Sequence, residues 1–288
     1  MSYLAFAWIA SVLYALEVIA SKIISRYSLS NPWLFNFVWS FLIMVFTLPV
    51  AIFYGVSWPS NFVDLSLAGV FSALGGLFYI LALYGLDVSA ISPLFNFRAI
   101  ISVILGFLLL GEVLNAAQLG LVGLIFLAGV LVTLDERWRL RSFFRPAVGL
   151  VFACLISLSL MGIFIQKSVA ENGYWTTTAF SVVISQITLL LTLPKFWTAL
   201  GELAWKNLLA LALIAAAGTV GGLAANRAYA QNVGVSSVII SLPISMILAF
   251  IFSLFWPTLL EKHSLKVYLI RFSAAAVMLA AALGLSQI

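Results

Sequence analysis

Charged side chains are scarce in this sequence: 14 basic and 9 acidic residues make up 8% of 288. A soluble domain carries about a quarter charged residues, so there is too little polar surface here to clothe a water-soluble globule. Cysteine occurs once, at Cys154 inside an apolar block, and no intramolecular disulfide can form. Histidine also occurs once, at His263 in a basic break. The sequence has no cluster with metal-ligand spacing, no phosphate-binding glycine loop and no nucleophile–base pair at a recognisable spacing. No cofactor or metal is therefore expected, and an enzyme is disfavoured. The N-terminus lacks the basic n-region of a signal peptide. Its first apolar block is too long for an h-region, which predicts a retained span.

What fills the chain instead is hydrophobic, 64% of it. The apolar residues fall in long blocks divided by short polar breaks, the pattern of a membrane protein. Stretches of about 20 such residues predict ten helical spans. They lie at 3–24, 33–54, 64–86, 90–110, 115–134, 147–168, 175–194, 207–229, 234–257 and 265–286. Short breaks and the lack of an alternating period argue against a barrel. The longest break, 135–146, splits the chain into 1–134 and 147–288, five spans each.

The net charge of +5 is not read as a nucleic-acid footprint. Its largest cluster, Arg137, Arg139, Arg141 and Arg145, sits in that one break beside Asp135 and Glu136. Basic residues flanking spans set topology. Eleven of the fourteen lie at the breaks after odd-numbered spans or on their flanks, whereas only Lys167 and Arg227 lie on the opposite side. The bias predicts a cytoplasmic 135–146 linker and both termini outside the cytoplasm, in a multi-pass protein of the cell (inner) membrane.

The halves repeat. A shift of 145 residues lays Lys22 on Lys167, Thr47-Leu48-Pro49 on Thr192-Leu193-Pro194, Gly76 on Gly221, Tyr84 on Tyr229 and Val88 on Val233. Five spans is an odd number, so the second copy enters the membrane inverted. Inverted repeats are the architecture of alternating-access transporters. The expected fold class is therefore all-α integral membrane, ten helices in two inverted five-helix repeats. Helices 1, 3, 4, 6, 8 and 9 are expected to enclose a central cavity.

Several segments resemble the ten-helix EamA-like branch of the drug/metabolite transporter superfamily. Tyr14-Ala15-Leu16-Glu17-Val18 through Lys22 is similar to the family's first helix. Ala82-Leu83-Tyr84 with Val88-Ser89-Ala90 resembles its third-to-fourth helix junction, and Leu108-Leu109-Leu110-Gly111-Glu112 the close of its fourth helix. The counterpart of Gly111-Glu112 in the second half is Trp256-Pro257, a departure from the pattern. Pro243 stands where a family proline is usual, and its counterpart is Arg98. Glu17-Val18-Ile19-Ala20-Ser21 also resembles the essential-glutamate segment of the small multidrug resistance exporters. Those pair two carboxylates, whereas the counterpart of Glu17 here is Gly162. The resemblance implies a monomeric secondary transporter whose partners are a small solute and the bilayer.

Candidate solute-binding residues follow from cost. An ionised carboxylate at mid-membrane costs about 3 kcal/mol on insertion scales and needs a partner or a wet cavity. Glu17 is the one acidic residue well inside a span, and it suits proton coupling or cation binding. Arg98 is the one basic residue near mid-span. It needs an anion, either a solute carboxylate or phosphate or Glu17 itself in a fixed pair. Asn36, Asn96, Gln166, Gln186 and Asn226 can bind solute or bond a neighbouring helix. Tyr79, Tyr84 and Tyr229 can line a cavity or pack. Lys22, Lys167 and Lys195, near span ends, are expected to snorkel. Glu17 with Arg98 suits a zwitterion, so the expectation is export of amino acids or similar metabolites. Export of organic cations or drugs is the alternative. A membrane-embedded enzyme or scaffold is the rival of another class.

Overall fold

The computed structural model describes residues 2–98, 100–101, 104–105, 116–133, 145–255 and 264–285. The Gly111-Glu112 and Trp256-Pro257 segments, His263 and nearly all of the 135–146 linker lie outside these residues. The described residues are almost entirely helical. The helices are α1 (Tyr3–Tyr27), α2 (Pro32–Tyr54), α3 (Phe62–Gly85), α4 (Val88–Leu94), α5 (Ala116–Thr133), α6 (Pro146–Asn172), α7 (Tyr174–Leu189), α8 (Trp205–Tyr229), α9 (Val233–Ile240), α10 (Ile244–Phe255) and α11 (Leu265–Leu285). Two 3-10 turns, Leu190–Lys195 and Trp197–Glu202, join α7 to α8.

Six helices are long and apolar enough to cross a bilayer, and two shorter apolar stretches, Leu119–Leu131 and Ile244–Phe255, accompany them. The 25 residues of α1 rise about 37 Å at 1.5 Å each, enough for a hydrocarbon core of about 30 Å. Local sequence fixes the ends. Asn31 caps α2 by accepting from the backbone N–H of Trp33 at 3.0 Å and of Leu34 at 3.1 Å, and Pro32 opens the helix where no N–H is needed. Asn61 caps α3 in the same way through Val63. Gly173, at φ +78°, supplies the left-handed residue that turns α6 directly into α7.

Small residues decide which helices touch. The face of α3 at Gly75 receives Leu158 of α6, and its Gly69 receives Ile184 of α7. In α8, Gly218 and Gly221 receive Glu17 and Tyr14 of α1. A helix with no Cβ at the contact lets its neighbour approach the backbone, which drives association where lipid is as apolar as the side chains. Helix α2 packs on α7 and α8, α4 on α10, and α5 on α11.

Two interruptions shape the interior. Helix α4 ends in a turn at Phe95–Asn96, one residue after its internal Pro93. Helices α9 and α10 are separated by Ser241, Leu242 and Pro243. Non-helical backbone is tolerated at membrane depth only where protein or a cavity surrounds it.

Candidate functional site

The helices enclose a cavity of about 260 Å³. It is sized for one small solute rather than a peptide chain or a lipid. Each wall follows helical spacing. Helix α6 offers Leu158, Met161 and Ile165, and α7 offers Thr178, Ser181, Val182, Ser185 and Leu189. The wall also takes in α2 through Asn36, Trp39, Ser40, Ile43 and Thr47, so helices two and seven join the six that the sequence singled out.

Glu17 lies near mid-length of α1, 5% exposed, and lines the cavity. Its carboxyl presses on α8: a Cβ at Gly218 would stand 2.6 Å from Oε1 and 3.1 Å from Cδ. Trp39 faces the same group, yet neither its Nε1 nor Glu17 Oε1 completes a hydrogen bond.

Arg98, 3% exposed, follows the turn that ends α4. Its Nη1 donates to Tyr229 Oη at 2.8 Å and its Nη2 to the Leu158 carbonyl at 2.6 Å. The guanidinium carbon also lies 5.2 Å from the Tyr229 ring centroid. Both hydrogen-bond acceptors are neutral, and Nε has no partner. No ion pair joins Arg98 to Glu17, so the fixed-pair alternative is not what the structure holds.

Of the other expected residues, Asn36, Tyr79 and Asn226 line the cavity. Four do not. Gln166 is exposed, one position past Ile165 and so about 100° around α6 from the cavity face. Gln186 is buried but stands in the same relation to Ser185 on α7. Asn96 is buried in the turn after α4, its amide unpartnered and off the wall. Tyr84 donates its hydroxyl to the Leu29 carbonyl and so ties the end of α3 to the loop before α2.

Sequence reasoning missed Ser11, Trp39, Thr178 and Ser241, which line the cavity. Each has a buried, unpartnered side-chain atom, as do Glu17 at Oε1, Asn36 at Oδ1, Tyr79 at Oη and Arg98 at Nε. Buried polar atoms in folded proteins are paired in the great majority, so eight such atoms around one cavity make it the candidate site. Hydroxyl residues are common in membrane helices, and only the fold shows which of them converge.

Comparison with known proteins accords with this geometry. Residues 1–134 match the EamA-like transporter family. That family is one of membrane transporters, consistent with the drug/metabolite transporter superfamily, and the match together with six apolar helices of spanning length fits a multi-pass membrane protein. No curated protein matches the chain by sequence. A solved structure entitled only "Crystal structure of protein" is similar with a TM-score of 0.66 and 14% identity, over 100% of this chain and 97% of that one. At that identity the likeness concerns the fold alone.

Proposed function

We propose that the protein is a secondary transporter that exports small zwitterionic metabolites, amino acids foremost, with Glu17 carrying a coupling proton. One observation carries the reading. Glu17 and Arg98 line the same cavity, make no ion pair with each other, and each presents an unpartnered atom. Two buried opposite charges left apart are costly unless something entering the cavity bears the complementary charges. The neutral donors and acceptors around them, among them Asn36, Thr178 and Asn226, suit the remaining polar atoms of such a solute.

The architecture proposed is ten spans in two inverted repeats, 1–134 and 147–288, joined by a cytoplasmic 135–146 linker. Its support is exchange symmetry. If α1 to α5 correspond in order to α6, α7, α8, α9 with α10, and α11, then α3 against α6 corresponds to α8 against α1. Likewise α3 against α7 corresponds to α8 against α2, while α2–α7, α4–α10 and α5–α11 map onto themselves. The turn containing Asn96 and the break starting at Ser241 are also 145 residues apart. Broken helices at a repeat interface, rocking around a fixed central site, are how many secondary transporters alternate access. The protein is proposed to act as a monomer in the cell membrane with both termini outside the cytoplasm.

Organic-cation export is the second reading, favoured by the rings of Tyr14, Trp39 and Tyr79 in the wall that also carries Glu17. Binding of amino acids, organic cations and organic anions to wild type, Glu17→Gln and Arg98→Ala separates the two. Zwitterion export predicts amino-acid binding that Arg98→Ala abolishes. Amino-acid binding that survives Arg98→Ala sinks that reading, and binding of lipophilic cations alone puts the second in its place.

A further inference from the structure

The two charges of the cavity are far apart, and one helix measures the gap. Glu17 abuts Gly218 and Arg98 is bonded to Tyr229 Oη, both on α8, which runs unbroken from Trp205 to Tyr229. Eleven residues separate those two positions, about 16 Å along the axis at 1.5 Å per residue. Tyrosine side chains on a helix lean toward its N-terminus, so Tyr229 leans toward Gly218, which leaves a gap of roughly 10–12 Å between the Glu17 carboxyl and the Arg98 guanidinium. An α-amino acid closes it only through a bridging water. With its ammonium and carboxylate about 3 Å apart and a hydrogen bond of about 2.8 Å at each end, it spans about 8–9 Å at most.

Between the poles the wall is mostly apolar and carries no charge among the described residues, its polar groups being neutral ones such as Ser11, Asn226 and the Tyr14 hydroxyl. Tyr14 packs its ring on Gly221, with Gly222 beside its hydroxyl, and joins Met161, Ile165, Ala224 and Tyr229 in one hydrophobic cluster. A charged group halfway along would face this cluster, whereas a methylene chain matches it.

We infer that the cavity takes an elongated zwitterion, an ammonium and a carboxylate joined by an unbranched apolar segment, with the ammonium at Glu17 and the carboxylate at Arg98. This rests on the zwitterion reading and narrows it. An extended chain advances about 1.2 Å per bond, so a gap of roughly 10–12 Å less two hydrogen bonds leaves about four to five bonds between the ammonium nitrogen and a carboxylate oxygen, which calls for about two or three methylenes. A phosphate ester fits less well, because Arg98 is the one basic side chain in the wall among the described residues and leaves a second negative charge uncompensated.

The unbranched ω-amino acids, from glycine to 8-aminooctanoate, are the ruler. Calorimetric titration of the purified full-length protein should show affinity rising at least tenfold from glycine to 4-aminobutanoate and falling again beyond it. Capping the ammonium, as in 4-acetamidobutanoate, should return affinity to that of the shortest members without any change to the protein. Glu17→Gln should flatten the length profile, and Arg98→Ala should weaken every member. Tightest binding at glycine or another α-amino acid, weakened by both substitutions, overturns the ruler and leaves the zwitterion reading standing. A length profile unchanged in Glu17→Gln overturns the ruler as well. If no member binds and organic cations do, both readings fall together.

Discussion

An ionisable side chain buried in a helical membrane protein is either neutralised by a fixed neighbour or held ready for a mobile one. Glu17 forms no ion pair among the described residues, which the proposed function reads as the second kind, and Gly218 leaves the room its carboxyl occupies. A methyl group on Gly218 would overlap the carboxyl at 2.6 Å, so Gly218→Ala is expected to push Glu17 off its position and weaken ammonium recognition at least tenfold. Shortening the acid should undo the damage: Gly218→Ala combined with Glu17→Asp is expected to regain binding that Gly218→Ala loses. Titration of 4-aminobutanoate against the single and double variants checks this, and additive losses would show that the two residues do not meet. Glu17 and Arg98 were legible in the sequence because charge inside an apolar run is rare and costly. Gln166 and Gln186 misled because a step of one residue turns a side chain about 100° around the helix, and packing alone decides which face meets the cavity. Trp39 and the hydroxyls of Ser11, Thr178 and Ser241 carry no such signal in one dimension.

Among the elements, glycines mark contacts of unequal tolerance. Gly129 of α5 lies under the Phe97 ring, where an added Cβ would come within 1.9 Å of the ring's Cε2. Phe97 is itself buried and has no room to withdraw. Gly129→Ala is therefore expected to cost about 1–3 kcal/mol. Gly149→Ala and Gly120→Ala, which meet nothing within 4 Å, should be neutral or slightly stabilising through helix propensity. Thermal unfolding of the three variants in detergent gives the comparison, and a Gly129→Ala protein as stable as wild type would show that α5 is not seated on Phe97. The long helices stood where apolar block length put them, since a bilayer demands about 20 residues and caps such as Asn31 and Asn61 announce the ends. The break between α9 and α10 was hidden inside one continuous apolar block. Hydropathy registers apolarity, and it is indifferent to whether the backbone at Ser241–Pro243 is helical. The 3-10 turns from Leu190 to Glu202 escaped for the same reason.

For the molecule as a whole, orientation and transport follow from how charge is arranged. The excess of Lys and Arg at one set of breaks predicts that a reporter fused after Ile288 and one inserted in the 135–146 linker report opposite sides of the membrane, the linker cytoplasmic. A cytoplasmic C-terminus would reverse the orientation and with it the sense of export. The cavity, the broken helices and the exchangeable helix pairs all bear on one proposal, that Glu17 and Arg98 are separate charges facing a transported solute. The most direct test is counterflow and proton-driven flux of a labelled zwitterion that binds the wild type, measured in proteoliposomes of wild type, Glu17→Gln and Arg98→Ala. Wild type should accumulate the solute under a proton gradient. Glu17→Gln should lose that accumulation while retaining downhill exchange, and Arg98→Ala should lose both. Full proton-driven accumulation by either variant would contradict the account.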